Sequence, residues 1–392
     1  MDTSLHDPAD SGLDAPALDR LQAAIEAEIA TGQHHGAAFL VARAGKIGAL
    51  RGVGHTHLAT DRTADVDDIF MLMSVSKAFV AAVVLQLIDH GLLSFDTRIA
   101  DVIPEFGVRG KQRVTVRHLL NHTGGTYSGF MLPPPLDFAR DLGNLSGSVA
   151  AVSQMPIANK PGERVVYNPW ASYSLLGEVA KRADGRHDHF GGLAAERIFR
   201  PLGMNDTSYG LSPKEPRRVP IVMTDTSPGA ASTATMESLN ELMDEQVEHP
   251  PGGAFSTVTD VYRFAEALRG GGTPGSARLL SPAMVDYAYT NSTGDMPNGF
   301  WDFNKESRDI PEFPANFTLG GGYARGHGHH LTPLGLLASP RSFGAVGSGS
   351  TLWMVDPVRE LVFVYFAAGL VEGLAHFQNI QKLCDLALAT VV

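Results

Sequence analysis

The stretch from Ala78 to Leu93 constrains the fold most, because its first eight residues are all apolar and leave no polar face. A helix that is apolar on every side has to be buried inside the protein. Immediately before it stands the sequence Ser74-Val75-Ser76-Lys77. A lysine at the mouth of a buried helix is costly unless it is paired or used, so this segment is a candidate functional site.

Ser74 and Lys77 have the i, i+3 spacing that places two side chains on one face of a helix. A serine hydroxyl is a weak nucleophile until a neighbouring base takes its proton, and a lysine amine in this position can do so. The unpaired N–H groups and partial positive charge of a helix N-terminus lower the lysine pKa and stabilise an oxyanion. Ser76 is the alternative nucleophile, but adjacent side chains diverge around a helix, so we favour Ser74.

Composition narrows the classes of function. The chain has 392 residues, 44% hydrophobic and 19% charged, with a net charge of -11. These values predict a globular protein of one large domain or two, and the charge argues against nucleic acid or an acidic membrane surface as a partner. The sequence shows neither a membrane span nor a signal-peptide core, so we expect a cytoplasmic protein. The single cysteine, Cys384, excludes an intrachain disulfide and is interpreted as a core residue.

Strand signals cluster at both ends of the chain. A predicted helix at 16–30 and strands at 37–42 and 47–53 precede the buried helix, whereas strands at 351–355 and 361–367 and a helix at 374–391 close the chain. Residues 115–250 are mostly helical or loop-like. We therefore expect an α/β fold, with a mixed antiparallel sheet flanked by helices from residues 1–114 and 251–392, and an inserted, mainly helical domain at 115–250.

Two further segments carry candidate site residues. Tyr167 ends a short strand-like run just before a break at Pro169, where a tyrosine can point into a cleft. Its ordinary pKa of about 10 makes it a useful base only beside a cation such as Lys77. The glycine-rich run Gly344–Ser350 leads into the strand at 351–355, and small residues there let a substrate approach the strand closely. Taken singly, these two segments are better explained as an ordinary half-buried aromatic and a plain glycine-rich turn.

In this order the three segments resemble the serine β-lactamase and penicillin-recognising superfamily, within it the class C-like esterase branch of family VIII carboxylesterase type. Supporting motifs extend the resemblance from about residue 20 to the end of the chain. They are RHLLNHTGG at 117–125, IFRPLGMNDT at 198–207 and GGAFSTVTD at 252–260. The implied architecture is a β-lactamase/transpeptidase-like α/β sandwich with a helical domain that contributes Tyr167.

The resemblance also implies roles for individual residues. Ser74 corresponds to the acylated nucleophile, Lys77 shares or relays its proton, and Tyr167 matches the general base that serves acylation and then deacylation. The N–H groups of Ser74 and Ser348 correspond to the oxyanion hole. Which of Lys77 and Tyr167 is the resting base stays open, because two such groups titrate as a coupled pair. The substrate-binding residues predicted from the sequence are Asn168, Gly347, Tyr127 and Phe130, with no cofactor and no metal.

The chain departs from the family pattern in two motifs. Pro169 replaces the asparagine of the motif Y-x-N, although Asn168 stands next to it, and the motif K-T-G or H-x-G reads Ala345-Val346-Gly347. The groups that would recognise the carboxylate and amide of a β-lactam or peptide are therefore missing. A neutral ester needs neither, so we favour a carboxylesterase acting on a small-molecule ester. Acyltransferase, β-lactamase, peptidase and amidase activities are the alternatives, and a homo-oligomer is compatible with the sequence.

Functional interpretations outside this family have weaker support from the sequence. The pentapeptide G-x-S-x-G of conventional serine hydrolases is absent. Histidine-rich runs at 187–189 and 327–330 contain zinc-ligand types but lie in polar loop sequence. His122 is interpreted as a local hydrogen-bonding corner rather than a general base. A non-catalytic binding protein on this fold would have no need of Ser74, Lys77 and Tyr167 together.

The sequence gives only a rough outline of the substrate pocket. Residues 127–145 and 295–323 are expected to line or cover the cleft. Several large apolar side chains in these two segments suggest an acyl pocket. They are Phe130, Met131, Phe300, Trp301 and Phe303.

Overall fold

A computed structural model of the protein describes residues 2–127, 132, 135–225, 232–271, 278–348, 351–371 and 373–392. The strands are β1 (Gly36–Arg43), β2 (Lys46–His57), β3 (Arg62–Thr63), β4 (Phe70–Met71), β5 (Ser208–Tyr209), β6 (Ala254–Ser256), β7 (Tyr323–Ala324), β8 (Phe343–Gly347), β9 (Thr351–Asp356) and β10 (Leu361–Ala368). The α-helices are α1 (Ala15–Ala30), α2 (Ser76–Asp89), α3 (Ile99–Val102), α4 (Val116–Leu120), α5 (Phe138–Asp141), α6 (Leu145–Gln154), α7 (Pro169–Asp184), α8 (Phe190–Ala194), α9 (Arg200–Leu202), α10 (Thr233–Glu237), α11 (Leu239–Leu242), α12 (Val258–Arg269), α13 (Pro282–Ala288), α14 (Asp302–Ser307) and α15 (Gly373–Leu388).

The two ends of the chain meet in one antiparallel sheet of order β3-β2-β1-β10-β9-β8-β7. Strand β1 pairs along its whole length with β10, so that Gly36 lies opposite Ala368 and Arg43 lies opposite Leu361. This pairing confirms the expected α/β fold with strands from both termini. A smaller sheet of order β4-β6-β5 holds the segment that leads to Ser74. The division into domains at residues 114 and 250 stays a prediction.

Alternation along the central strands builds a core on each face of the large sheet. In β10, Phe363 and Tyr365 belong to the core beneath α1 and α15. Their neighbours Val362 and Val364 belong to the core on the opposite face, which also contains residues of α2, α7 and α12. Successive side chains of a strand point to opposite faces, so these unbroken apolar runs fit strands covered on both sides.

Helix α2 lies in this second core, and the residues from Ala78 to Leu85 are all 0% exposed. The prediction of a buried helix is therefore confirmed. The helix ends before Gly91, whose φ of 73° is readily adopted by glycine. Across the described ranges, no helix combines the length and apolarity needed to cross a membrane.

Candidate active site

The structure brings Ser74, Lys77 and Tyr167 together. The hydroxyl Oγ of Ser74 lies 2.8 Å from Nζ of Lys77 and 2.8 Å from the phenolic oxygen of Tyr167. Lys77 Nζ also donates to the carbonyl oxygen of Pro251 over 2.9 Å. Ser74 lies in the short turn before α2, Lys77 in the first turn of α2, and Tyr167 in the loop before α7. Ser74 and Tyr167 are 93 residues apart in the sequence.

The backbone around Ser74 has an unusual conformation. Met73 has a φ of 48° in the left-handed region, which costs a residue with a side chain about 1–2 kcal/mol. It begins a short 3₁₀ helix, Met73–Val75, that continues directly into α2. Ser76 is fully buried, and its Oγ accepts a hydrogen bond from the Ala254 amide at 3.0 Å. Its position is therefore that of a structural serine, which supports the choice of Ser74 as the candidate nucleophile.

Tyr167 is held by a loop from the other half of the sequence. Its amide donates to Oδ1 of the buried Asn298 over 3.0 Å. Its ring packs edge-on against Phe300 and stacks with Phe317, with centroids 5.6 and 5.9 Å apart. Sequence reasoning missed Asn298, because its only signal is a polar residue before a short helix and nothing local links it to residue 167.

Burial shifts the pKa values of Lys77 and Tyr167, the two hydrogen-bond partners of Ser74, in opposite directions. It lowers the pKa of Lys77 well below 10.5, because the charged ammonium is removed from water. It raises the pKa of Tyr167 to about 12, and the hydrogen bond from Ser74 only partly offsets that rise. A neutral amine and a neutral phenol fit the contacts. The phenol can donate to Ser74 Oγ, the Ser74 hydroxyl to Nζ, and Nζ to the carbonyl of Pro251.

Two buried histidines, His122 and His249, lie near Lys77. Burial, the largest cause, lowers the pKa of each to about 3, so both rings are neutral at neutral pH. Nδ1 of His122 accepts from the Asn168 amide at 3.2 Å, and its ring lies 4.7 Å from that of Tyr167. This arrangement fits the interpretation of His122 as a hydrogen-bonding corner. The sequence offered no comparable signal for His249.

Strand β8 ends against the segment that carries Ser74. A Cβ atom at Gly347 would lie 2.3 Å from the carbonyl oxygen of Leu72 and 3.1 Å from the Ser74 amide nitrogen. Thr351 Oγ1 donates to the same Leu72 carbonyl at 2.9 Å. Close packing therefore requires glycine at position 347. The residue after Gly347, Ser348, lines the same cleft as Ser74. Substrate contact by Gly347 stays a prediction.

An open cleft of about 650 Å³ begins at Ser74 and Ser348. Its walls are apolar and contain four methionines, whose unbranched side chains adapt to differently shaped ligands. Part of the predicted 127–145 segment contributes to them, whereas the predicted 295–323 segment does not. The described apolar residues that line the cleft are Met71, Met73, Leu132, Phe138, Leu142, Pro169, Trp170, Met236, Leu239, Met243 and Pro251.

The described members of the predicted apolar pocket set, Phe300, Trp301 and Phe303, do not line this cleft. Phe303 is 78% exposed, Trp301 packs against Phe377, and Phe300 packs behind Tyr167. Phe130 and Met131 lie outside the described residues. The cleft instead uses helices α10 and α11, which are short and lie far from the site in the sequence, so no pattern linked them to it.

Asn168 is held by contacts within the protein, and its substrate-binding role stays a prediction. It is 3% exposed, and its Oδ1 caps α7 by accepting from the Ser172 amide at 3.0 Å. Its Nδ2 donates to Thr126 Oγ1 at 2.6 Å. The amide is thus used on both sides to fix the turn after Tyr167. Tyr127 packs against the main core and is not among the described residues of the cleft wall, so its role stays a prediction.

Histidines of the two runs considered as zinc ligands, 187–189 and 327–330, contact protein side chains. Both ring nitrogens of His187 contact carboxylates, those of Asp184 at 2.9 Å and Glu196 at 3.0 Å. His330 contacts the Asn316 amide at 2.8 Å. Within the part of the chain that the structure describes, no group of three or more histidine, cysteine or acidic residues is arranged to hold a metal ion.

Comparisons with known proteins show the family and the fold of the chain. A family model described as Beta-lactamase matches residues 21–384. The esterase EstB of Burkholderia gladioli is 29% identical over 322 residues, which cover 74% of this chain and 78% of the esterase.

Two solved structures show the same fold. A penicillin-binding protein homologue from Caulobacter crescentus superposes with a TM-score of 0.77 at 24% identity, covering 97% of this chain and 99% of that one. A family VIII carboxylesterase superposes with a TM-score of 0.74 at 23% identity, covering 95% and 99%. Both likenesses extend over nearly the whole of each chain.

Proposed function

Because the chain belongs to the beta-lactamase family, we propose that it is a serine carboxylesterase that cleaves small-molecule esters through an acyl-enzyme on Ser74. One observation carries the proposal. Ser74 Oγ lies 2.8 Å from both Lys77 Nζ and the Tyr167 hydroxyl, at the mouth of an apolar cleft. A nucleophile with a base and an acid in hydrogen-bond reach is the arrangement that covalent acyl transfer requires.

In the proposed acylation, neutral Lys77 accepts the Ser74 proton as Oγ attacks the ester carbonyl carbon. The lowered pKa of Lys77 favours the neutral amine, whereas a Tyr167 pKa of about 12 keeps the phenol protonated at neutral pH. These directions favour Lys77 as the resting base. The tetrahedral oxyanion would accept hydrogen bonds from the amides of Ser74 and Ser348. Loss of one such donor typically costs about 10²–10³ in rate.

Collapse of the intermediate requires a proton on the departing alkoxide, and in this proposal Tyr167 donates it. The proton held by Lys77 then restores the phenol. Water enters in the second half of the reaction, and the same two groups remove its proton and return one to Ser74 Oγ. Tyr167 thus acts in both half-reactions, as an acid in the first and as a base in the second.

The cleft favours an uncharged ester over a β-lactam or a peptide. Among its described lining residues Lys77 is the sole lysine or arginine, and its amine is engaged by Ser74 and by the carbonyl of Pro251. The amide of Asn168 is used in capping α7, and Ala345 is buried in β8. The described cleft wall therefore has no free lysine or arginine side chain to bind a substrate carboxylate.

Hydrolysis of 4-nitrophenyl butyrate, nitrocefin and a peptide ending in D-Ala-D-Ala separates the candidate activities. We expect ester turnover to exceed the other two by orders of magnitude and to disappear in Ser74→Ala. Ser76→Ala is the matched control, which should keep covalent labelling by a fluorophosphonate. Product analysis with added alcohol distinguishes an acyltransferase. Nitrocefin turnover equal to ester turnover, or full activity in Ser74→Ala, would contradict the proposal.

A further inference from the structure

The apolar cleft contains a polar side chain that the proposed reaction leaves unused. His249 lines it beside Trp170 and Gly252, and the residue is only 8% exposed. Its imidazole centroid lies 6.0 Å from that of Trp170. A Cβ atom at Gly252 would lie 3.2 Å from Nε2, which places this edge of the ring against the cleft wall. The proposed chemistry accounts for the other polar groups near the mouth, those of Ser74, Lys77 and Ser348.

The protonation state of the His249 imidazole determines which chemical group it can bind. Its pKa of about 3 makes the ring neutral, so one nitrogen carries a proton and the other is an acceptor. A ligand that satisfies the acceptor nitrogen has to bring a donor, and an apolar wall without further charge favours a hydroxyl over an ammonium.

The side of the ester that enters the cleft follows from the position of Tyr167. The proposed proton donor to the leaving alcohol is Tyr167, which is not among the residues that line the cleft. The alcohol therefore departs on the Tyr167 side, and the acyl chain extends from Ser74 along the methionine-rich walls.

We propose that the acyl group carries a hydroxyl that donates a hydrogen bond to His249, so that the preferred substrates are esters of hydroxylated aliphatic acids. This inference rests on the proposed esterase function. An aliphatic chain matches the apolar walls, and the hydroxyl pairs the imidazole nitrogen that a plain chain would leave desolvated. The cost of such an unpaired acceptor is what discriminates against the plain chain.

The first test compares kcat/KM for 4-nitrophenyl 3-hydroxyhexanoate and 4-nitrophenyl hexanoate, each corrected for its spontaneous hydrolysis. We expect a preference of about tenfold for the hydroxy ester, the worth of one good neutral hydrogen bond. His249→Phe should abolish the preference, and His249→Gln, which keeps an acceptor, should restore part of it. Met236→Leu, an apolar change in the same wall, should leave the ratio as it is.

The second test does not depend on turnover. Calorimetry measures the binding of racemic methyl 3-hydroxyhexanoate and of methyl hexanoate to Ser74→Ala, and to the double variant that adds His249→Phe. Tighter binding of the hydroxy ester that is lost in the double variant supports the inference even if the protein hydrolyses no ester. Equal binding of the two esters, or a kinetic ratio that survives His249→Phe, overturns it while leaving the esterase proposal intact.

Discussion

The two sides of Ser74 are built on different principles. On the reaction side, Lys77 and Tyr167 are held by specific hydrogen bonds, 2.9 Å from Lys77 Nζ to the Pro251 carbonyl and 3.0 Å from the Tyr167 amide to Asn298. On the cleft side, most of the described lining residues are apolar, among them four methionines and three leucines, whose side chains make no hydrogen bond. Polar networks fix geometry, whereas apolar walls of flexible side chains adapt. The comparison predicts that changes on the first side affect the rate and changes on the second affect substrate choice.

The largest effect is expected from Lys77→Met, which keeps the volume of the side chain and removes the amine. Ester hydrolysis should fall by about 10³–10⁴-fold, because Ser74 loses its proposed base. Thermal unfolding should show equal or higher stability, since a costly buried amine has been replaced by an apolar group. Activity within a few-fold of the wild type would show that the base lies elsewhere.

Tyr167→Phe comes next, with an expected loss of about 10²–10³-fold in the chemical step. Rapid-mixing kinetics should resolve this loss, because acylation and deacylation both slow. The double variant with Lys77→Met should lose less than the product of the two single losses, since both groups handle the same proton. Full additivity would indicate two independent roles.

The dependence of kcat/KM on pH tests the reaction side, that of Lys77 and Tyr167, without a mutation. The reaction needs neutral Lys77, so kcat/KM should fall about tenfold per pH unit below the pKa of that amine. Burial places this pKa well below 10.5. The neighbouring histidines, with pKa values of about 3, do not contribute to the fall of kcat/KM on the acidic side of the profile. Tyr167 stays protonated up to about pH 12, so no alkaline loss is expected between pH 8 and 10. Activity that declines over that interval would instead require a charged lysine.

The smallest effect on the rate should come from the cleft side. Met236→Ala enlarges the pocket, and we expect the preferred acyl chain to lengthen while kcat/KM for a short ester such as 4-nitrophenyl acetate changes less than about tenfold. Hydrolysis of 4-nitrophenyl esters from acetate to decanoate measures the shift. A loss equal for every chain length would mean that this wall supports the reaction geometry rather than selecting the acyl group.

The sequence predicts the reaction side much better than the cleft side, for a physical reason. Ser74 and Lys77 are a local i, i+3 pair before an apolar helix, and the sheet follows from period-two apolar runs at both ends. The cleft is assembled from short segments without periodicity, such as those of Met236 and Met243. Met73 shows another limit, because nothing in the sequence indicates its left-handed φ of 48°.

Other contacts near the site were invisible in the sequence for the same reason. Only the three-dimensional structure shows that helix α7 and Thr126 use both polar atoms of Asn168. Asn298 and His249 lie 131 and 82 positions beyond Tyr167 in the chain, and only folding brings them to the site.

The most direct test is a crystal structure of the protein inactivated by a hexyl fluorophosphonate. The account predicts that phosphorus is bonded to Ser74 Oγ and that the phosphonyl oxygen accepts hydrogen bonds from the amides of Ser74 and Ser348. The hexyl chain should lie among Met236, Leu239 and Met243. An adduct on Ser76, or a chain directed away from these residues with the oxygen unpaired, would contradict it.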